Sequence, residues 1–322
     1  MVKKKWSAEA PSNIALIKYM GKKNAEKNIP DNPSISYTLP HLLTKVELEL
    51  VEHPEDSWEP LNQEGYFSLQ LGPKETQRYL KHFKMIKEKF GIKQKFIVRS
   101  ANNFPENCGL ASSASSFAAL TLCSVNAFSE INNTSVPEVN EIAALSRQGS
   151  GSSCRSLMKP WCVWAEETVS EIAFPQRNLL HMVVVADGAR KKVSSSQAHK
   201  NVSSSLLYSG REERARIRMG LLVEALSSNN WKNAFELCWS EFWDMHALFE
   251  TSNPSFGYMN EASMKVLHYA KSSWRKIDDG PIVTMDAGPN VHLLFRREQL
   301  SMAKDLKERY LDMGFKVYAD KI

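Results

Sequence analysis

Val46, Leu48 and Leu50 alternate with Glu47 and Glu49, the period of a strand with one face buried. Phe67, Leu69 and Leu71 repeat that period around Ser68 and Gln70. From about residue 74 to 90 the period becomes helical, with Leu80, Phe83, Ile86 and Phe90 on one face and Gly91 as the stop. A strand over 96–99 follows. Ser135-Val-Pro-Glu138 reads as a capping box with proline at the first helical position, predicting a helix to about 148 that ends at Gly149. The later chain reads as an apolar strand over 181–187, helices near 212–227 and 231–249, a buried strand over 282–285, a helix over about 298–313 ended by Gly314, and a strand over 315–318. Strands and helices mix without strict alternation, so the class is α+β. At 322 residues the chain exceeds the ~250–300 over which one core keeps growing. Two lobes are expected, 1–187 and 188–322, meeting near the end of the 181–187 strand.

Composition narrows the functional classes. The formal charge of +5 is spread without a run of five like charges, so neither nucleic acid nor a membrane surface is an expected partner. A basic, phosphate-facing cleft accounts for the excess as well. Five cysteines without CxxC or paired-histidine spacing argue against a disulfide framework and a structural metal. The basic start Met-Val-Lys-Lys-Lys-Trp runs into Ser-Ala-Glu-Ala-Pro instead of an apolar core, and no apolar run approaches ~18 residues. A reducing cytoplasm is the expected compartment.

Four stretches carry candidate chemistry. Residues 105–116 open with Pro105, pass Gly109, Leu110, Ala111, Ser112, Ser113, Ala114 and Ser115, and become a helix. Small side chains let a ligand approach, and a helix start offers unpaired N–H groups to a phosphate. Serine hydroxyls add donors, and Ser112 is a candidate ligand for phosphate-bound magnesium. The same run also reads as a serine-capped helix packed by alanines. It lacks the lysine of GxxxxGK[ST]. Gly149-Ser150-Gly151-Ser152-Ser153-Cys154-Arg155-Ser156 is a second small-residue loop, either a further anion site or a flexible turn. Asn13 and Lys18 stand five apart on a strand leading to Gly21 and reach one cleft, unless this is a surface strand with a solvated lysine. Asp286 ends the 282–285 strand before Ala-Gly-Pro-Asn, as a fixed acid or a turn-forming Asx residue.

Taken in order, Asn13-Ile-Ala-x-Ile-Lys18-Tyr19-x-Gly21-Lys22, Asn102-Asn-Phe-Pro105 with Gly109-Leu-Ala-Ser-Ser-Ala114, the Cys154-Arg-Ser loop, Val193-Ser194-Ser195 and Asp286-Ala-Gly-Pro-Asn290 resemble the diphosphomevalonate decarboxylase family of the GHMP kinase superfamily. The resemblance covers roughly Ala10 to Phe295. It implies a two-lobed GHMP kinase fold, the N-terminal lobe like domain 2 of ribosomal protein S5 and the C-terminal lobe ferredoxin-like. It implies ATP and Mg²⁺, a homodimer, and phosphorylation of a tertiary 3-hydroxyl followed by loss of phosphate and CO₂ to give isopentenyl diphosphate.

By the same resemblance Asp286 orients or deprotonates the 3-hydroxyl, Lys18 sits beside it, Arg155 grips the substrate carboxylate and Asn13 supports that network. Ser112 and Ser113 contact ATP and its magnesium. Tyr19, Lys22, Ser150, Gly151, Ser152, Ser194 and Ser195 face the diphosphate. Residues 21–30 and 191–196 are the candidate lids. The chain departs from the family pattern at Met20, Pro33, Glu75, Lys159-Pro160 and Ala198-His199, with Lys74 or Arg78 as a substitute for a basic residue at 75. The alternatives are a mevalonate 5-phosphate decarboxylase, a related kinase, or a non-catalytic binding relative. A dinucleotide-binding dehydrogenase is set aside because no GxGxxG follows a strand.

Overall fold

The computed structural model describes residues 4–105, 112–188, 192–320 and 322. The first sheet is built from β1 (Lys5–Ile17), β4 (Ser34–Val51), β5 (Ser57–Pro60), β6 (Phe67–Ser68), β7 (Lys95–Asn102), β8 (Trp161–Ala165) and β9 (Thr168–Glu171), with a small hairpin of β2 (Lys22–Asn24) and β3 (Ile29–Pro30) beside it. The long β4 is its axis. It pairs antiparallel with β1 along most of its length, with β7 through Thr44–Val51 and with β8 through residues 34–37.

The alternation in β4 does what its period predicts. Val46 and Leu48 are fully buried, while Glu47 and Glu49 lie on the other face. The buried face, joined by Trp6, Phe96 and Val98, packs on three helices, α1 (Pro73–Phe90), α2 (Ser112–Asn132) and α3 (Val139–Gly149). On α1 the deepest positions are Tyr79, His82, Phe83 and Ile86, with Leu80 and Phe90 only half-buried. Gly91 ends this helix in the left-handed region at φ 67, where glycine has no Cβ penalty. Phe67 and Ser68 are the whole of the second predicted strand; Leu69 and Leu71 lie beyond it. The capping box at Ser135 does not form either: α3 begins at Val139, and Glu138 is its uncapped N-cap.

The second sheet runs β11 (Ile282–Met285), β12 (Val291–Phe295), β10 (Leu180–Val185), β13 (Lys316–Ala319), all neighbours antiparallel. Its helices are α4 (Ser195–Asn201), α5 (Arg211–Ser227), α6 (Trp231–Glu250), α7 (Glu261–Ile277) and α8 (Leu300–Asp312). β10 therefore belongs to the second sheet, and a division after Asp187 would leave it on the wrong side. Apolar but for His181, it carries no mark in sequence of which sheet it joins. Helix α7 was not anticipated; Val266, Leu267, Ala270 and Trp274 form its buried face.

The two lobes share a core. Ile14 and Leu16 of β1 and Ile35, Tyr37 and Leu39 of β4 pack in the same cluster as Val183, Met285, Leu293 and the apolar faces of α5–α8. Thr284 Oγ1 donates to the Ala15 carbonyl across that junction, 3.2 Å away. The last turn of β1 is thus held by both sheets, which fixes where the chain emerges at Lys18. No described helix is long and apolar enough to cross a membrane.

Two buried histidines make the fold sensitive to acid. Burial, helped by Arg78, holds His82 at about 3; burial and its neighbours His41 and His292 hold His181 well below its ordinary value. Their folded values lie below the unfolded ~6.5, so the unfolded chain binds more protons as pH falls through that window and stability drops, by up to ~1.4 kcal/mol per pH unit for each histidine. Urea melts should give a lower unfolding free energy at pH 5 than at pH 7. The His82→Asn variant should show a shallower slope, and a flat profile in the parent would contradict the assignment.

Candidate active site

Lys18 follows the last residue of β1, and Asp286 follows the last residue of β11. Their side chains meet between the lobes with Nζ–Oδ1 at 2.8 Å. The Lys18 side chain is 2% exposed, while Asp286 keeps 29% of its side chain open. Burial opposes the charge on both. In Lys18 it is the largest influence and, only partly offset by Asp286, lowers the ammonium's pKa. In Asp286 burial is outweighed by Lys18, then His292 and Arg155, so the carboxyl lies below its usual value and stays ionised near neutrality.

The backbone of Lys18 is clamped by residues the sequence reading did not single out. Its N–H donates to Glu241 Oε1 at 3.0 Å, and its carbonyl accepts from Arg211 Nη2 at 3.1 Å and Asn32 Nδ2 at 2.8 Å. Glu241 and Arg211 are buried and ion-paired with each other, and Arg218 Nη1 lies 2.9 Å from Glu241 Oε2. Asp244 closes the network through Arg211, Arg214 and Arg218 and is held at about 2 because these arginines outweigh its burial. A signal existed: on α6, Glu241 falls on the buried stripe of Cys238, Phe242, Met245 and Phe249, where an unpaired carboxylate does not survive. From the same helix, His246 Nε2 donates to the Asp286 carbonyl at 3.1 Å.

The stretch 149–156 is neither a loop nor a flexible turn. Gly151–Leu157 is a buried 3-10 helix directly after α3, and Ser153 is bonded back to Ser146 and Ser150. It delivers Arg155 to the cleft, where Nε donates to Asn13 Oδ1 at 3.1 Å and Nη1 to Ser34 Oγ at 2.9 Å. Asn13 in turn donates to the Ser152 carbonyl and Ser156 Oγ. Lys18, Asp286, Arg155 and Asn13, expected together from motif order, are thus brought to one interlobe cleft.

Tyr19, Lys22, Ser150, Gly151 and Ser152 gather on the adjoining wall. Tyr19 lies against Trp164, ring centroids 4.5 Å apart, and a Cβ on Gly151 would fall 2.8 Å from the Tyr19 hydroxyl oxygen. Lys22 Nζ donates to Asn28 Oδ1 at 2.5 Å, and Asn28 donates to the carbonyls of Arg147 and Gln148. Arg78 Nη2 donates to the Gly149 carbonyl at 2.7 Å. Burial first, then Arg78 and Lys200, lower the pKa of Lys22. Among the described residues none of Lys22, Arg78 and Arg155 forms an ion pair with a carboxylate. Ser194 and Ser195 sit exposed at the start of α4, Ser194 capping it by accepting from the Gln197 N–H. Contact between this helix and Tyr19 comes through His199 instead.

A cavity of about 270 Å³ opens at the start of α2, lined by Leu69, Gly72, Glu75, Arg78, Ser112 and Ser113 among others. Gly109, Leu110 and Ala111 lie outside the described residues, as does Lys191 of the second candidate lid; Pro105 is the last residue described before the gap. Two of the expected ligand contacts turn the other way. Ala114 is buried, and Ser115 is fully buried with its hydroxyl tied to Thr44 and the Ser112 carbonyl. Helical geometry requires this, since residues two and three positions past Ser112 rotate onto the sheet-facing side. Arg78 rather than Lys74 is the base that reaches the cavity.

A model of the diphosphomevalonate decarboxylase-like N-terminal domain matches residues 10–174, and one of the mevalonate 5-diphosphate decarboxylase C-terminal domain matches 181–316. The chain belongs to the diphosphomevalonate decarboxylase family. A Danio rerio member is 30% identical over 87% of this chain and 73% of its own length. A crystal structure of a Legionella pneumophila mevalonate diphosphate decarboxylase superposes with a TM-score of 0.92 at 45% identity, covering 98% of this chain and all of that one. A solved complex of a further family member, MDDEF with MVAPP, AMPPCP and magnesium, gives 0.83 at 26% identity over 98% of this chain and 97% of the other. The two-lobed GHMP kinase fold expected from the motifs is the fold observed.

The clamp on Lys18 has a measurable consequence. Replacing Arg211 by Met leaves Glu241 buried with Arg218 as its ion-pair partner and the Lys18 N–H as a donor, and unfolding should cost about 3–5 kcal/mol less in urea melts. A change within 1 kcal/mol would mean that the pair does not hold the junction.

Proposed function

We propose that this chain catalyses the ATP-dependent decarboxylation of mevalonate 5-diphosphate to isopentenyl diphosphate, releasing ADP, phosphate and CO₂. The observation that carries the reading is the 2.8 Å Lys18–Asp286 pair, set in a cleft beside cations that have no carboxylate of their own among the described residues. Family membership supports the reaction class.

The cavity at the start of α2 suits ATP: it is walled by the hydroxyls of Ser112 and Ser113 and by Arg78, and lies at a helix N-terminus. Among the described residues no cluster of three metal-ligating side chains exists, so magnesium would be held through the nucleotide phosphates with Ser112 as a protein ligand. ATP supplies the transferred phosphoryl group and magnesium offsets its charge.

Asp286, bonded to Lys18 through Oδ1, turns its other oxygen to the substrate 3-hydroxyl. With its pKa held low it is a weak base and an effective orienter, and it takes the proton late, as the hydroxyl oxygen forms its bond to the γ-phosphorus and the bond to ADP breaks. Lys18 offsets the charge that develops on the transferring group. Arg155, positioned by Asn13 and Ser34, grips the substrate carboxylate with the edge of its guanidinium that these two leave open. The C–O bond to phosphate then breaks, and the C–C bond to the carboxylate gives its electron pair to the new double bond as CO₂ leaves. Tyr19, Lys22 and residues 150–152 receive the diphosphate.

Release of ADP and CO₂ should be followed in parallel with ATP, Mg²⁺ and, in turn, mevalonate, its 5-phosphate and its 5-diphosphate. The two products are expected one-for-one from the diphosphate, and Asp286→Asn should lower kcat for both by about 10²–10⁴. ADP without CO₂ would make the chain a kinase; turnover of the monophosphate in preference would reassign the substrate; neither product from any substrate would remove the catalytic reading.

A further inference from the structure

His199 lies on α4, in the second lobe, yet its contacts are with the first. Its Nδ1 accepts the Gly21 N–H at 3.0 Å, which requires a lone pair there and puts the neutral ring's proton on Nε2. The ring packs on Tyr19, centroids 4.3 Å apart and planes at 40°. Among the described residues Nε2 has no protein partner, and the half-buried ring is neutral, held at about 3 by burial and then by the charges of Lys22 and Arg155.

A second observation points to the same spot. The hydroxyl of Tyr19, a residue 8% exposed, is buried and has no hydrogen-bond partner among the described residues. Such a group costs free energy unless something satisfies it. The Tyr19 hydroxyl, His199 Nε2–H and Lys22 all donate, and among the described residues none of the three is paired with a carboxylate. The complement of three neighbouring donors is a polyoxyanion with several acceptor oxygens.

We propose that His199 donates its Nε2–H to the phosphoryl end of the substrate, beside the Tyr19 hydroxyl, while its Nδ1 holds the Gly21 turn against that group. The inference rests on the functional reading above, which puts the substrate's phosphorylated end on this wall. It makes His199 a binding residue supplied by the second lobe, so the pocket is complete only when α4 is seated on the 19–22 segment. The motif serines Ser194 and Ser195, five and four positions earlier, are not needed for this contact.

Two conservative substitutions separate the donor from the clamp. His199→Asn keeps an acceptor where Nδ1 was and loses the Nε2 donor. His199→Gln keeps a donor at the Nε2 position and loses the acceptor for Gly21. Affinity for mevalonate 5-diphosphate would be measured by calorimetry, with thermal melts to verify that each variant is folded. His199→Asn should weaken binding about tenfold or more, and His199→Gln should stay within about threefold of the parent. Parent-like affinity in His199→Asn, or equal weakening in both, would overturn the donor assignment.

Lys22→Met tests the underlying reading on its own. If it weakens diphosphate binding while His199→Asn does not, only the role of His199 fails. If neither variant affects binding, the diphosphate is not on this wall and the reading of the pocket fails with it.

Discussion

The arrangement depends on a buried ion pair that never touches the reacting atoms. Glu241 and Arg211 lie inside the second lobe and take the N–H and the carbonyl of Lys18, a first-lobe residue. Bringing both charges out of water costs several kcal/mol, and a hydrophobic pair would fill the volume more cheaply. What the ionic pair adds is direction: one carboxylate oxygen and one guanidinium edge reach a single peptide unit from α5 and α6. With both backbone groups of Lys18 fixed, its side chain has one way to go, toward the end of β11. The shared apolar core brings the two sheets together, but side-chain packing alone tolerates small slides; the clamp sets register between the lobes at the point where chemistry needs it.

Charge in the cleft is deliberately unbalanced. Asp286 is matched by Lys18, but among the described residues Arg155, Lys22 and Arg78 donate hydrogen bonds to neutral acceptors only, namely Asn13, Ser34, Asn28 and a helix-end carbonyl. Those partners orient the cations without neutralising them. Burial first, and then repulsion from Arg78 and Lys200, lowers the pKa of Lys22. An anionic ligand relieves that repulsion as it binds, so part of its affinity is already built into the folded protein. Asp286 stays ionised despite burial because Lys18, then His292 and Arg155, outweigh it.

Much of the site was legible because its motifs sit where chain geometry leaves little choice. Asn13 and Lys18 end a strand, Asp286 ends another, and Arg155 follows a run of small residues; the alternation in β4 identified the buried face correctly. Other features were hidden for physical reasons. Ser115 resembles its neighbours Ser112 and Ser113 in sequence, and only the 100° step of the helix turns it to the core. The residues 149–156 look like a loop because glycine and serine have weak helix propensity, yet packing on α2 and α3 winds them into a 3-10 turn. β10 is apolar but for His181, and such a strand suits either sheet. Glu241 and Arg211 lie in helices remote from every motif, although a carboxylate on the buried face of α6 was a readable warning.

The segment 18–22 ties these features into one mechanical unit. Lys18 is clamped by α5 and α6, Met20 is buried among Met245, Phe249 and Ala198 of the second lobe, and Gly21 donates to His199. Tyr19 lies between the lobes, on Trp164 and the 3-10 helix of the first and on His199 of the second. The second lobe thus holds Lys18, Met20 and Gly21, and the first lobe meets the segment through Tyr19. A displacement of α4 relative to the first sheet therefore acts on Gly21 and Met20, three and two residues from Lys18. Occupancy of the anion wall and the position of the Lys18 ammonium are then not independent. On the proposed reading, seating the phosphorylated end of a substrate would steady the same short segment that carries Lys18, and binding energy gathered on that wall would contribute to alignment at the reacting carbon.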